Sequence, residues 1–487
     1  MYKYPTKEFL MTSLKVRKAL SIAVLLAASS TVYAQGVHAP AAPVHAPAAP
    51  AAVVPTVAAP EPAPVAEPAA VPVAEPIAVS TPAIPEPAPV AAKPAPAKAA
   101  PIKVSLYGFF QLNALIEDGG NNNKAWSISV PKGAENGEGR TLLNVNQSRI
   151  GINASGEPKE GGPEVLGKFE VDWSNNNDRM NNGVGGLRIR QAFGQVKFND
   201  IGLSLLLGQT SDLIGPLTAP SVNQGTLQGQ GSLGTRRPMI RATQAVGPVE
   251  IAAALTDNRD APSTAATSSS SAYLAPVYPA FQYSLKGKVP ASWAGEKQNL
   301  ELTFSGHYAS RESAAEDSAG VARKDGKDTN FTYKKPATSW SYVGSLSLPV
   351  ISIVNLSGEF FYGQNLGSYS SGNIGQPATT VTKNRTGAGL QSTGGWGAAN
   401  VKLPASFALA GGYGVEAILK SREPLNGAVK NQVIFTNLRY FVDDAAFVAF
   451  EYANLLTRYA DNSTAGVRTT DSGKLNRYEL VFNYAFK

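Results

Sequence analysis

From Ile102 onward the chain alternates between apolar and polar residues with a period of two. In Val165-Leu-Gly-Lys-Phe-Glu-Val-Asp-Trp173, one face carries Val165, Phe169, Val171 and Trp173 and the other Lys168, Glu170 and Asp172. Leu300 to Tyr308 divides in the same way, with Leu300, Leu302, Phe304 and Tyr308 against Glu301, Thr303, Ser305 and His307. That period puts the two sets on opposite faces of a sheet. About sixteen such segments lie between residues 103 and 487. Their connections sort into two kinds. Those at 155–163, 199–201, 246–248, 290–297, 403–404 and 442–444 are short or modest, whereas those at 118–140, 210–236, 257–276, 310–336 and 364–389 are long and polar. Short turns at one end and long loops at the other predict an all-β fold, a transmembrane antiparallel β-barrel of 16 strands in the bacterial outer membrane. A soluble sandwich or propeller would alternate too, with no reason to sort its loops by side. The last segment fits a lipid-facing strand, with Tyr478, Leu480, Phe482, Tyr484 and Phe486 at every second position. Such a row suits recognition by the barrel-assembly machinery, although Lys487 stands last where an aromatic residue is usual.

The first 101 residues are of another kind. Lys15, Arg17 and Lys18 precede the apolar run Ala19 to Ala28, and Val32-Tyr33-Ala34 offers a small-residue cleavage site. Residues 1–34 therefore read as a secretory signal peptide, too short to span a bilayer, with Met11 an alternative start. Residues 35–101 form a Pro/Ala-rich periplasmic linker, and 18 of the chain's 35 prolines fall between 39 and 101. This composition forms no core and favours a disordered, extended arm. It serves as a passive spacer or as a tether to the cell wall, and the tether makes a structural outer-membrane protein the alternative function. Residues 102–487 are the barrel domain. The chain has no cysteine and a net charge of +7, of which +4 lies in residues 1–34 and −2 in residues 35–101. The barrel's small surplus does not argue for nucleic acid, so placement of the charges must carry the reading.

If the apolar set faces lipid, the other set lines the lumen. Ile150 and Ile152 outward put Arg149 inward, and Leu187 and Ile189 outward put Arg188 and Arg190 inward. The parity that turns Ile240 out turns Arg237 and Arg241 in, and Lys168 joins them. A basic cluster on one side of a narrow pore selects the sign of the solute, and arginine suits carboxylates through its planar fork. The alternative is a lattice of ion pairs with Glu170, Asp172, Glu301, Glu359 and Glu451 that only stiffens the wall.

The passage from Gly208 to Arg241, GQTSDLIGPLTAPSVNQGTLQGQGSLGTRRPMIR, has neither helical nor strand period across some 25 residues. A loop of that length is functional or disordered. Ser148-Arg-Ile-Gly151, Arg188-Ile-Arg-Gln-Ala-Phe193, Gly208-Gln-Thr-Ser-Asp-Leu-Ile-Gly-Pro-Leu217 and Gly234-Thr-Arg-Arg-Pro-Met-Ile-Arg241 resemble the DcaP-like trimeric porins over roughly residues 103–245. The resemblance implies a 16-stranded barrel, a homotrimer, and passive diffusion of small anions, notably dicarboxylates. It also implies that the third long loop folds inward, carrying Asp212, Gln224 and Gln228 into a constriction opposite Arg236, Arg237 and Arg241. The chain departs from the family before the barrel, where relatives carry a coiled coil and this chain the proline-rich arm.

Other signals carry less. Gly229-Gln-Gly-Ser-Leu-Gly234 fits a dinucleotide-binding glycine pattern without the βαβ unit that gives it meaning. Asp172-Trp-Ser-Asn-Asn-Asn-Asp178 lacks the glycine and glutamate spacing of a calcium loop, so no metal and no cofactor are expected. His307, the one histidine of residues 102–487, reads as a wetted wall residue and not as part of a hydrolytic site, and no enzymatic activity is expected.

Overall fold

In a computed structural model the alternation becomes a closed antiparallel wall. The structure describes residues 102–120, 128–156, 158, 162–174, 186–258, 278–295, 298–315, 333–369, 372–376, 389–424, 427–460 and 472–487; of 311–315 and 333–337 it describes the backbone alone. Residues 1–34, expected to be a signal peptide, and 35–101, expected to be a linker, lie outside the described residues. Strands β1 (Ile102–Glu117), β2 (Arg140–Asn144), β3 (Arg149–Gly156), β4 (Glu164–Asp172), β5 (Arg188–Phe198) and β6 (Leu203–Ser211) lead to the long insertion. After it come β7 (Arg236–Val246), β8 (Val249–Thr256), β9 (Ala280–Pro290), β10 (Asn299–Ala315), β11 (Tyr333–Ile351) and β12 (Val354–Gln364). The wall ends with β13 (Gln391–Lys402), β14 (Phe407–Ile418), β15 (Ala428–Phe441), β16 (Ala446–Tyr459) and β17 (Ser472–Phe486).

Each strand pairs with its sequence neighbour, and β1 pairs with β17 from Gly108 opposite Phe486 to Glu117 opposite Arg477, which closes the ring. The strands number 17, but β2 and β3 share one edge of β1. They are two halves of one interrupted stave, so the barrel has the 16 staves expected. The single strand expected over 141–154 is broken between Val145 and Ser148. The break leaves Gln111 without a ladder partner on that side, and Ser148 replaces the missing strand. Its hydroxyl accepts from the Gln111 N–H at 2.9 Å and donates to the Gln111 carbonyl at 3.3 Å. A wall in lipid needs such a substitute, because no water reaches its backbone.

Alternation holds along the outer surface. On β17, Tyr478, Leu480, Phe482 and Tyr484 are exposed while Glu479, Val481 and Asn483 between them are buried. The exposed row continues on neighbouring strands through Phe450, Leu438 and Leu409, giving the apolar band of an outer-membrane barrel. The inner surface is uneven. Along β11 to β17 it carries many apolar residues, with Val343, Phe361, Trp396, Val433, Phe435, Leu455 and Val481 all buried among polar ones such as Glu359, Asn437 and Glu451. Along β3 to β5 it is charged. The insertion between β6 and β7 accounts for the difference.

Candidate functional site: a constricted lumen

The insertion begins at a neck. Asp212 donates its N–H to the Thr235 carbonyl at 2.9 Å and accepts from the Thr235 N–H through its carboxylate at 2.8 Å. The two limbs run so close here that Gly215 and Gly234 have no room for a side chain: a Cβ on Gly234 would stand 2.5 Å from the Ile214 carbonyl oxygen. Both have positive φ, which glycine adopts without strain. Below the neck, Asp212 forms an ion pair with Arg237 at 2.9 Å and accepts from Gln282 at 2.7 Å, and Gln282 in turn accepts from the Leu213 N–H at 2.8 Å.

From the neck the loop turns inward and follows the inside of the wall. Ile214 and Leu233 pack with Val343, Phe361, Leu366 and Tyr369. The Leu217 N–H donates to Glu359 at 2.8 Å. Pro220 offers its carbonyl to Asn437 at 2.9 Å and to Arg439. Glu451 then accepts from the Ser221 hydroxyl (2.8 Å), the Val222 N–H (2.7 Å) and the Thr226 hydroxyl (3.1 Å), while Glu479 accepts from Asn223 at 2.9 Å. Leu227 fills the apolar inner face among Trp396, Val433, Phe435, Leu455 and Leu475. The Gln224 N–H donates to Gln147, beside the strand break, at 3.2 Å. Thus the loop covers the arc from β9 round to β17 and touches down again at β3. Among the described residues it makes no hydrogen bond to β4 or β5.

The arc it leaves uncovered carries the cations. Arg188 grips Asp172 with two bonds, 2.9 and 2.7 Å, and Arg190 bridges Glu170 at 2.7 Å and Asp172 at 2.6 Å. Arg149 lies 3.5 Å from Glu170 and donates to Gln224 at 3.2 Å, joining the wall to the loop tip. Alternation puts Arg188 and Arg190 on one face, and a bulge between β4 and β5 leaves Arg190 as the extra residue, opposite the step from Glu170 to Val171. Arg236 is half-buried within the electrostatic reach of Arg149, Arg188 and Arg190, and its Nε has no hydrogen-bond partner among the described residues. Lys168 lies 4.8 Å above the Tyr107 ring, and Arg241 is half-buried farther down β7.

Several expectations change in detail. Arg237 does face inward, but it is 6% exposed, paired with Asp212 and stacked on Tyr369 at 4.1 Å, so it holds the loop's root and offers no free charge to the lumen. Gln228 closes a turn against Ser232 inside the loop and meets no wall cation among the described residues, unlike Gln224. Of the five carboxylates expected in an ion-pair lattice, Glu170 and Asp172 pair with the arginines, Glu301 pairs separately with Lys286 at 2.6 Å, and Glu359 and Glu451 hold loop donors. His307 is buried and not wetted, with ring nitrogens 2.7 and 2.8 Å from Ser341 and Ser339 and the Tyr369 ring 4.0 Å away. Asp172 is committed to Arg188 and Arg190, and residues 175–178 of the calcium-like stretch lie outside the described residues.

The sequence reading missed Gln147, Gln282, Asn437, Arg439 and Glu479 as holders of the loop. One signal was available. Leu205-Leu-Leu207, Val433-Ile-Phe435 and Leu480-Val-Phe482 are apolar at consecutive positions, which marks strands covered on both faces. A water-filled lumen covers one face only.

No protein-family model matches the chain, and no curated protein matches it. Solved structures do. The outer membrane channel DcaP of Acinetobacter baumannii superposes with a TM-score of 0.63 at 17% identity, covering 79% of this chain and 97% of that one. An anion-selective porin from Comamonas acidovorans matches with a TM-score of 0.49 at 13% identity, over 79% of this chain and 100% of its own. OmpF of Salmonella typhi, in complex with daunomycin, matches with a TM-score of 0.47 at 11% identity, over 79% of this chain and 97% of its own. With a closed wall of 16 staves, an apolar outer band and an inward third loop, this chain has the fold of the outer-membrane channel DcaP.

Proposed function

We propose that this protein is a porin, a passive diffusion channel for small hydrophilic solutes that favours anions such as dicarboxylates, and that it works as a homotrimer. The observation that carries the reading is the division of the lumen. Carboxylates Glu359, Glu451 and Glu479 sit behind the loop, each accepting hydrogen bonds from it. Arg149, Lys168, Arg188, Arg190, Arg236 and Arg241 stand on or near the uncovered arc, where Glu170 and Asp172 offset only part of their charge. A solute confined between loop and arc therefore meets a positive field, strengthened by the low dielectric of the wall. Arg188 and Arg236 can still present donors, which suits a carboxylate at each end of a short solute.

The test is the reversal potential of single channels in a potassium chloride gradient, followed by competition with succinate. Chloride should be the more permeant ion, and succinate should reduce chloride current at concentrations where a neutral sugar of the same size does not. A channel that prefers potassium overturns the anion reading. A reconstituted barrel that passes no current overturns the porin reading itself.

A further inference from the structure

The constriction loop is held at a second place, by another loop. Residues 128–137, between β1 and β2, also turn inward, and they cross the returning limb of the insertion. Asn431 of β15 donates through one amide nitrogen to both segments, to the Ile128 carbonyl and, at 2.9 Å, to the Gly229 carbonyl. Gln230 reaches the same Ile128 carbonyl at 3.1 Å. Thr457 of β16 accepts from the Val130 N–H at 2.8 Å and donates to Asn431 at 2.8 Å, and the Tyr459 hydroxyl donates to the Val130 carbonyl at 2.5 Å. Farther on, the Gly133 N–H donates to the Ser472 carbonyl at 3.0 Å and ties the segment to the start of β17.

Side chains close the crossing. Val130 is fully buried in one cluster with Leu227 of the insertion and Val433, Leu455 and Leu475 of the wall. Ile128 packs against Ile374, Leu390, Ile418 and Ala428. Gly229 has a φ of 73°, and a Cβ on it would stand 2.6 Å from the Ile128 side chain. Asn431, Thr457 and Tyr459 lie farther from the short turn joining β15 to β16 than Val433 and Leu455, which receive Leu227. Residues 128–131 therefore lie on the extracellular side of the insertion, across the path by which its far limb would lift from the wall.

We propose that residues 128–131 form a strap that pins the far limb of the constriction loop, with Ile128 and Val130 as positioning residues for the width of the pore. The Asp212–Arg237 pair fixes the loop at its root only. Near the tip, the loop's hydrogen bonds to Glu451 and Glu479 are ones that a lifted loop would exchange for bonds to water, at small net cost. The apolar contacts of Val130 and Ile128 have no such replacement, because lifting the loop exposes them to water. The strap thus supplies restraint where the polar contacts are weakest. Its consequence for pore width rests on the channel reading, whereas its hold on the loop does not.

The test reads the loop and the current separately. Val222→Cys puts one thiol into a chain that has none, at a position 7% exposed among Ala449, Val481 and Phe447. In the purified full-length protein, the rate at which a charged maleimide labels it follows how often the loop leaves the wall. Ile128→Ala with Val130→Ser should raise that rate about tenfold, because exposure tracks the population of the opened loop. The same variant should add a noisier, higher level to single-channel currents. Tyr459→Phe, which removes one hydroxyl from the strap, should speed labelling by less. Labelling at the rate of the Val222→Cys parent in both variants, with the barrel still heat-modifiable, overturns the strap. If the double variant does not fold, Tyr459→Phe decides alone, and the parental rate there overturns it. Faster labelling in a protein that passes no current upholds the strap and overturns the channel reading.

Discussion

Asp212 and Arg237 form a buried ion pair, Oδ1 to Nε 2.9 Å, at the point where the inward loop leaves the wall. Arg237 also donates to the carbonyls of Asp257 at 3.1 Å and Ser368 at 2.9 Å, so one guanidinium ties the loop root to two other segments. Removing one partner of a buried pair leaves the other charge uncompensated, at a cost of about 3–5 kcal/mol. Asp212→Asn should therefore lower thermal stability and give noisier single-channel currents with a modest rise in mean conductance. Current noise and conductance equal to wild type would mean that the neck holds without the pair.

Shortening the loop from Thr218 to Ser232 should raise conductance severalfold and admit larger sugars in a liposome-swelling assay. The carboxylates it uncovers, Glu451 and Glu479, would meet water in the enlarged lumen and avoid a lasting desolvation penalty. The inner face of β15 and β16 would become wet apolar surface, so the variant should also melt at lower temperature. Unchanged sugar permeability would place the constriction outside this loop.

The cations should separate by role. Arg190 is buried between Glu170 and Asp172, and Arg190→Gln strands two carboxylates at once. That variant should lose heat resistance by several kcal/mol. Arg236 hydrogen-bonds no carboxylate among the described residues, and its arginine neighbours repel it. Arg236→Gln should leave the melting temperature unchanged or slightly raised and should reduce anion preference in the reversal potential. If both variants shift selectivity equally with no difference in stability, the division of roles is wrong.

Ser148 serves both polar groups of Gln111 with one hydroxyl. Ser148→Ala leaves a buried N–H and C=O without partners, for a loss of about 1–3 kcal/mol. The unheated, folded band on a gel should shift to the unfolded position at a lower temperature. Ser148→Thr, which keeps the hydroxyl, should restore it.

The architecture was legible in the sequence because period two is a strong signal when it repeats sixteen times and loop lengths sort with it. Lumen parity was legible for Arg149, Arg188 and Arg190, even though a bulge intervenes, because Ile189 lies between the two arginines of β5. What parity cannot give is the distance of an inward side chain from the loop. Arg237 and Arg241 share a parity, yet only Arg237 reaches Asp212. The same limit hid Glu451 and Glu479, which alternation assigns to the lumen and the loop then covers.

The ring closes through residues from Gly108 onward, and its described strands all lie between Ile102 and Phe486, whereas residues 39–101 are proline-rich. Deleting them should leave barrel assembly and heat resistance intact, as read from the gel shift of the unheated protein. A failure to assemble would make the arm part of the folding unit and not a spacer.

The pairing of β1 with β17 joins residues separated by almost the whole barrel sequence, Glu117 with Arg477 and Gly108 with Phe486. Until the final strand arrives, both terminal strands present open edges that can pair with any other chain. The first strand must therefore wait, unpaired on one side, for the last fifteen residues to be delivered. Contacts of such long sequence separation form slowly. A barrel sealed in this way stays open until its last strand pairs, so removing a few residues of β17 should harm assembly more than the loss of an entire surface loop.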